Sequence, residues 1–251
     1  MRSALRIVFL AGLAGILPAA AQQSAPPKTT PTPPAKSEQP ARDPGLYMTF
    51  DTSMGAIHCL LYENEAPVTV RTMVRLALGK MSYIDPKTKQ TVAGKHFFDG
   101  LTFHRVIPQF MIQGGDPLGN GQGGPLGPGF PYKNETSARL KFDIPGRLAM
   151  ANAGPDTNAS QFFITEVPYP SLNGGYTIWG QCEDLNVVKA ITHVPTGRRA
   201  RDMPNTPVLI KQVTVERVGR VPANAPEGGP AKTGTAPAKK ATTKAPEKKS
   251  S

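Results

Sequence analysis

From Leu46 to Val218 the chain alternates short β-prone runs with turns punctuated by glycine and proline, a texture that restricts it to a mainly β domain. The first two runs, Leu46–Asp51 and Ala56–Tyr62, flank Thr52-Ser53-Met54-Gly55, which suits a hairpin turn because glycine tolerates positive φ. Further strand-like runs occupy Thr102–Val106, Phe110–Gln113, Arg147–Ala151, Gln161–Glu166, Thr177–Cys182 and Val208–Val218. Two helices interrupt them. Glu65–Gly79 places Val70, Met73, Val74 and Ala77 on one helical face, with Pro67 in the first turn and Gly79 at the end. A shorter helix is predicted over Glu183–Thr192. Residues 80–100 are polar and read as a long loop, and Gly114–Pro131 lacks any periodicity. About eight strands and two helices with short connections predict a closed eight-stranded antiparallel barrel whose open ends the helices cap. Pattern alone does not separate this from a sandwich.

The two ends of the chain are built differently. Arg2 and Arg6 precede the apolar run Ile7–Leu17, which closes on Pro18-Ala19-Ala20-Ala21. A bilayer span needs roughly 20 apolar residues, so residues 1–21 read as a signal peptide cleaved after Ala21 rather than as an anchor. Residues 22–44 and 220–251 are rich in Pro, Thr, Lys and Ala, with too little apolar area to offset the entropy of ordering them. They are expected to be a linker and a disordered basic tail around one domain, residues 45–219. The expected location is periplasmic or secreted.

The net charge of +11 is concentrated in those ends. Residues 44–219 carry 17 basic and 14 acidic groups, a balance that argues against a specific nucleic-acid surface. The lysine-rich tail is a candidate for non-specific contact with an anionic envelope. Cys59 and Cys182 form no Cys-x-x-Cys pair. Each sits in an apolar run, and two buried unpaired thiols are preferred over a disulfide, although an oxidising compartment permits one. His58, His96, His104 and His193 show no metal-ligand spacing, and no Gly-x-Ser-x-Gly elbow or phosphate-binding Gly-Lys-Ser/Thr ending is present. Asn134-Glu135-Thr136 and Asn158-Ala159-Ser160 match a glycosylation pattern that is common by chance.

Three ordered blocks are far more specific. They are Phe103-His104-Arg105-Val106-Ile107-Pro108-Gln109-Phe110-Met111-Ile112-Gln113-Gly114-Gly115-Asp116, then Met150–Pro155 with Asn158–Ile164, then Leu172–Gly180. Together they closely resemble the signatures of cyclophilins, and the resemblance covers residues 46 to 218. It implies a monomeric peptidyl-prolyl cis/trans isomerase that needs no metal or cofactor and acts on proline-containing peptides and unfolded exported proteins. It also implies Arg105 as the catalytic residue, with Phe110, Met111, Phe163 and Leu172 around the proline ring. Gln113 and Asn152 would hold the substrate backbone, with Ala151 and Gln161 close by and His104 and Tyr176 at the rim. Phe162, on the opposite face of its strand from Phe163, is read as core.

The reaction explains those residue types. Amide resonance opposes rotation about an X–Pro bond with a barrier of ~18–20 kcal/mol. A fixed cation near the prolyl nitrogen stabilises the twisted amide, whose nitrogen regains its lone pair, more than the planar one. The guanidinium group keeps its charge and offers a rigid fork of donors. The alternative, from another class, is a module that binds proline segments without significant turnover. Three departures from well-known cyclophilins stand out. Ser171 replaces a tryptophan, Tyr176 a histidine, and residues 80–100 exceed the usual connection. The first two imply weak cyclosporin binding.

Overall fold

The computed structural model describes residues 42–198 and 200–220. The leader expected at 1–21, nearly all of the 22–44 segment and the tail beyond 220 lie outside the described residues. Ten strands, two α-helices and one 3-10 turn follow in order: β1 Gly45–Thr52, β2 Gly55–Leu61, α1 Pro67–Ala77, β3 Tyr83–Ile84, β4 Thr91–Val92, β5 Arg105–Ile107, β6 Met111–Gly114, β7 Arg147–Met150, β8 Phe162–Thr165, the 3-10 turn Pro170–Leu172, β9 Ile178–Cys182, α2 Leu185–Thr192 and β10 Ile210–Val218. Elements fall where the sequence pattern places them, with ends displaced by a few residues.

Eight strands form one antiparallel sheet in the order β10-β1-β2-β9-β7-β8-β6-β5. The expected closed ring is not a continuous ladder, because the edge strands β5 and β10 do not pair with each other. Between them a single bridge joins Thr102 to Leu209, with hydrogen bonds from Phe103 N–H to the Val208 carbonyl and from Ile210 N–H to the Leu101 carbonyl. Along β5 itself the outer edge is met instead by the loop after α2, where the Val106 N–H donates to the Asp202 carbonyl at 2.8 Å.

Helix α1 starts at Pro67, which needs no donor in the first turn. The next two backbone amides, of Val68 and Thr69, donate to the two carboxylate oxygens of Glu135 at 2.9 and 2.7 Å. A side chain from a distant loop thus satisfies amides that the helix cannot pair itself. The helix buries Val70, Met73, Val74, Leu76 and Ala77 in the main core.

Two expectations need correcting. Residues 80–100 are more than a polar loop: Tyr83–Ile84 and Thr91–Val92 pair as a two-stranded sheet. Tyr83, Phe97 and Phe98 pack into the core, with Tyr83–Phe97 and Phe97–Phe98 in edge-to-face contact. Three aromatics among polar neighbours show too little periodicity to be read as core contributors. The second correction concerns the cysteines. Cys59 on β2 lies directly opposite Cys182 on β9, and the two form a buried disulfide across 123 residues of sequence. Both cysteines are buried in the apolar core, as their local runs predict, but adjacency depends on strand register, which distant residues decide.

Candidate active site

Strands β5, β6, β8 and β7 build the site through their registers. Arg105 stands opposite Gln113, Gln113 opposite Phe163, and Phe163 opposite Ala149. Because side chains alternate across a strand, this row faces away from the main core. Val106, Ile112, Phe162 and Leu148 point the other way and belong to that core. Met111, Phe142, Ala149, Phe163 and Ile178 instead form a second apolar cluster, against which Phe110, Ala151, Leu172 and Tyr176 pack.

A pocket of about 170 Å³ opens over this cluster, lined by Arg105, Phe110, Met111, Gln113, Ala151, Asn152, Phe163, Leu172 and Tyr176. Nine of the eleven expected site residues therefore surround one cavity. Its floor is apolar, with Met111 and Phe163 buried. Tyr176 meets the Phe163 ring edge-to-face at 5.5 Å, and Phe142 stacks on Phe163 at 5.8 Å. Arg105 is 44% exposed at the mouth. Its Nη1 donates to Gln113 Oε1 at 3.4 Å, and Gln113 Nε2 donates to Gln161 Oε1 at 2.9 Å. Gln161 Nε2 continues the chain to the Gly121 and Gly123 carbonyls at 3.1 and 2.7 Å. The Asn152 side chain is held between the Gly175 carbonyl, to which Nδ2 donates at 3.0 Å, and the Gly154 amide at 3.3 Å.

Gln161 lines a second cavity of about 350 Å³, which shares Gln113, Ala151 and Asn152 with the first. The Gly114–Pro131 segment forms much of its wall. Gly115 sits at φ +82°, and a β-carbon there would collide with the Ser160 carbonyl, so only glycine lets the loop leave β6 so close to the start of β8.

His104 departs from its expected rim position. It is 6% exposed, and neither ring nitrogen has a protein hydrogen-bond partner among the described residues. Burial lowers its pKa, Asp116 opposes that shift, and the charge of Arg105 adds to it. It lines a neighbouring cavity that shares Arg105 and Gln113 with the pocket. Ser171 is exposed in the 3-10 turn and does not line the pocket. Trp179 is fully buried against Phe162.

Sequence reasoning missed three neighbours. Tyr169 packs on Phe110 at 4.4 Å, and Phe142 supports Phe163 from below. Asp202, in the loop after α2, lies 3.4 Å from Arg105 Nε. None belongs to the three motif blocks, and only Phe142 carries a signal in hindsight, as an isolated aromatic between polar residues. Among the described residues no group of three or more His, Cys, Asp or Glu is placed to hold a metal ion.

Residues 47–215 match the family model described as cyclophilin type peptidyl-prolyl cis-trans isomerase/CLD. Peptidyl-prolyl cis-trans isomerase B of Streptomyces anulatus is 47% identical over 174 residues, covering 68% of this chain and 97% of that protein. Peptidyl-prolyl cis-trans isomerase A of Mycobacterium tuberculosis is 45% identical over 170 residues, covering 66% and 90%. A crystal structure of a Cryptosporidium parvum cyclophilin type peptidyl-prolyl cis-trans isomerase superposes with a TM-score of 0.57 at 28% identity, covering 67% of this chain and 96% of that one. The same protein in the presence of the dipeptide Ala-Pro matches with the same score at 29% identity. With two thirds of its length matched and the site residues gathered at one pocket, the chain belongs to the cyclophilin-type peptidyl-prolyl cis-trans isomerases.

Proposed function

We propose that this protein speeds rotation about X–Pro bonds in exported chains, with Arg105 as the catalytic residue. The observation that carries the reading is a guanidinium at the mouth of a small pocket whose floor is apolar. The proline ring enters between Phe110, Met111, Phe163 and Leu172, where burial favours it. The flanking peptide lies toward Gln113 and Asn152, whose amides are tethered by neighbouring carbonyls or amides. As the amide twists, its nitrogen regains a lone pair, and Arg105 donates to it. The planar ground state lacks that lone pair, so the interaction favours the transition state selectively. Rotation breaks no covalent bond and transfers no group, so the pocket's own residues suffice for this route.

Export is part of the same proposal. The leader pattern at residues 1–21 supports it, and a disulfide between Cys59 and Cys182 accords with an oxidising compartment. The clients are then proline-containing segments of exported, unfolded chains, and residues 45–219 are the domain that acts on them. The basic tail adds non-specific contact with an anionic envelope.

The test is NMR exchange or protease-coupled isomerisation of an Ala-Pro peptide. Arg105→Ala is expected to fold normally, because a mouth arginine adds little to the core. It should lower kcat/KM by ~100-fold or more, about 2.7 kcal/mol of transition-state stabilisation. A folded variant with near-full activity would remove the mechanism. Peptide binding by the wild type without turnover would leave the binding-module reading.

A further inference from the structure

Arg105 has a second anchor that none of the motif blocks contains. Its long side chain has many rotamers, and a donor that must meet a nitrogen appearing only in the transition state loses effect when it wanders. Gln113, across the β5–β6 ladder, takes Nη1. Asp202 Oδ2 accepts from Nε at 3.4 Å. Asp202 lies 97 residues from Arg105 in sequence, but its own backbone is tied to the same strand: its carbonyl accepts the Val106 amide at 2.8 Å. The carboxylate is thus presented from a backbone docked one residue from Arg105. Two separate nitrogens of the planar guanidinium are held, one on each side, and Nη2 has no hydrogen-bond partner among the described residues.

We infer that Asp202 is a positioning residue for catalysis, holding the Arg105 guanidinium so that its remaining donors face the proline pocket. The inference rests on the reading of Arg105 given above. A competing effect is that the carboxylate dilutes the positive charge that the twisted amide needs. Both side chains are about a third exposed or more, at 44% and 32%, where solvent screens the attraction and an ion pair adds little to stability. Screening weakens the charge effect, whereas the geometric restraint persists. Orientation therefore outweighs dilution, and removing the carboxylate lowers the rate rather than raising it.

The experiment measures kcat and KM separately on an Ala-Pro peptide, with thermal unfolding alongside. Asp202→Ala is expected to lower kcat about five- to twentyfold with KM within about twofold, because the prolyl pocket is untouched. Its melting temperature should stay close to wild type, since the backbone tie to Val106 remains. Asp202→Asn keeps an acceptor at the same place without the charge, and should recover most of the lost kcat. In an Arg105→Ala background, Asp202→Ala should cost nothing further, the signature of a residue acting through another. The inference is overturned if Asp202→Ala keeps wild-type kcat, if Asp202→Asn is as impaired as Asp202→Ala, or if the loss persists undiminished without Arg105. These results are distinct from failure of the underlying reading, which would appear as near-full activity of Arg105→Ala itself.

Discussion

The same short strands, β6, β7 and β8, furnish two apolar surfaces with opposite fates. On one face Ile112, Leu148, Met150, Phe162 and Ile164 join β1, β2, α1 and α2 in the sealed main core. On the other, Met111, Ala149 and Phe163 are covered from the flanks by Phe142, Phe110 and Leu172, and part of the surface stays open as a 170 Å³ pocket. Phe162 and Phe163 are neighbours in sequence, chemically identical and both nearly inaccessible. One is enclosed by Phe50, Phe98, Phe103 and Trp179; the other has Tyr176 at its edge and a cavity above it. Hydrophobic burial supports stability in both places, but only incomplete covering leaves room for a ligand ring. The candidate site is a core left unfinished on one side.

The contrast can be broken most directly at that phenylalanine pair. Phe162→Ala should cost about 3–5 kcal/mol of stability, the usual loss for a large side chain removed from a packed interior. Its kcat/KM at a temperature where it remains folded should change little. Phe163→Ala should cost less stability and lower kcat/KM about tenfold or more, because one wall of the pocket is lost. Denaturant unfolding and isomerase assays on both variants decide the matter. Equal losses in both readouts for both variants would erase the distinction between the faces.

The disulfide sharpens the comparison, since Cys59 and Cys182 belong to the sealed face. Replacing both by alanine should lower stability by about 2–4 kcal/mol, as expected for a cross-link closing a long loop. Turnover at 25 °C should be preserved. A matching drop in activity in the folded variant would mean that the two faces are mechanically coupled.

The smallest effect concerns His104, which is buried next to Arg105 in sequence. Burial holds its pKa below the ordinary value of 6.5. The unfolded chain therefore takes up this proton at higher pH than the folded one does. Its contribution to stability is complete above the unfolded value and is lost as pH falls through 6.5 toward the depressed folded value. The slope should not exceed about 1.4 kcal/mol per pH unit, the limit for one proton. Urea unfolding between pH 7 and pH 5 should show a steeper decline in wild type than in His104→Leu. Parallel declines would place the proton uptake elsewhere.

Much of this molecule is legible locally. Alternation along each strand, glycine at the Thr52–Gly55 turn and the apolar stripe of α1 depend on residues only a few positions apart, so the sequence carries them openly. The motif blocks name nine residues that line one pocket, since β5 and β6 form a local hairpin and the other contributors lie within the matched blocks. Register across distant strands is another matter. It depends on the summed packing of whole faces rather than on any one residue type. For that reason the Cys59–Cys182 bond, the inward turn of His104, the core aromatics of residues 80–100 and the approach of Asp202 to Arg105 emerge only in the folded chain. Local patterns thus name the side chains available to the site, whereas folding selects which of them meet, because contacts across 97 or 123 residues are settled by loop closure and strand register.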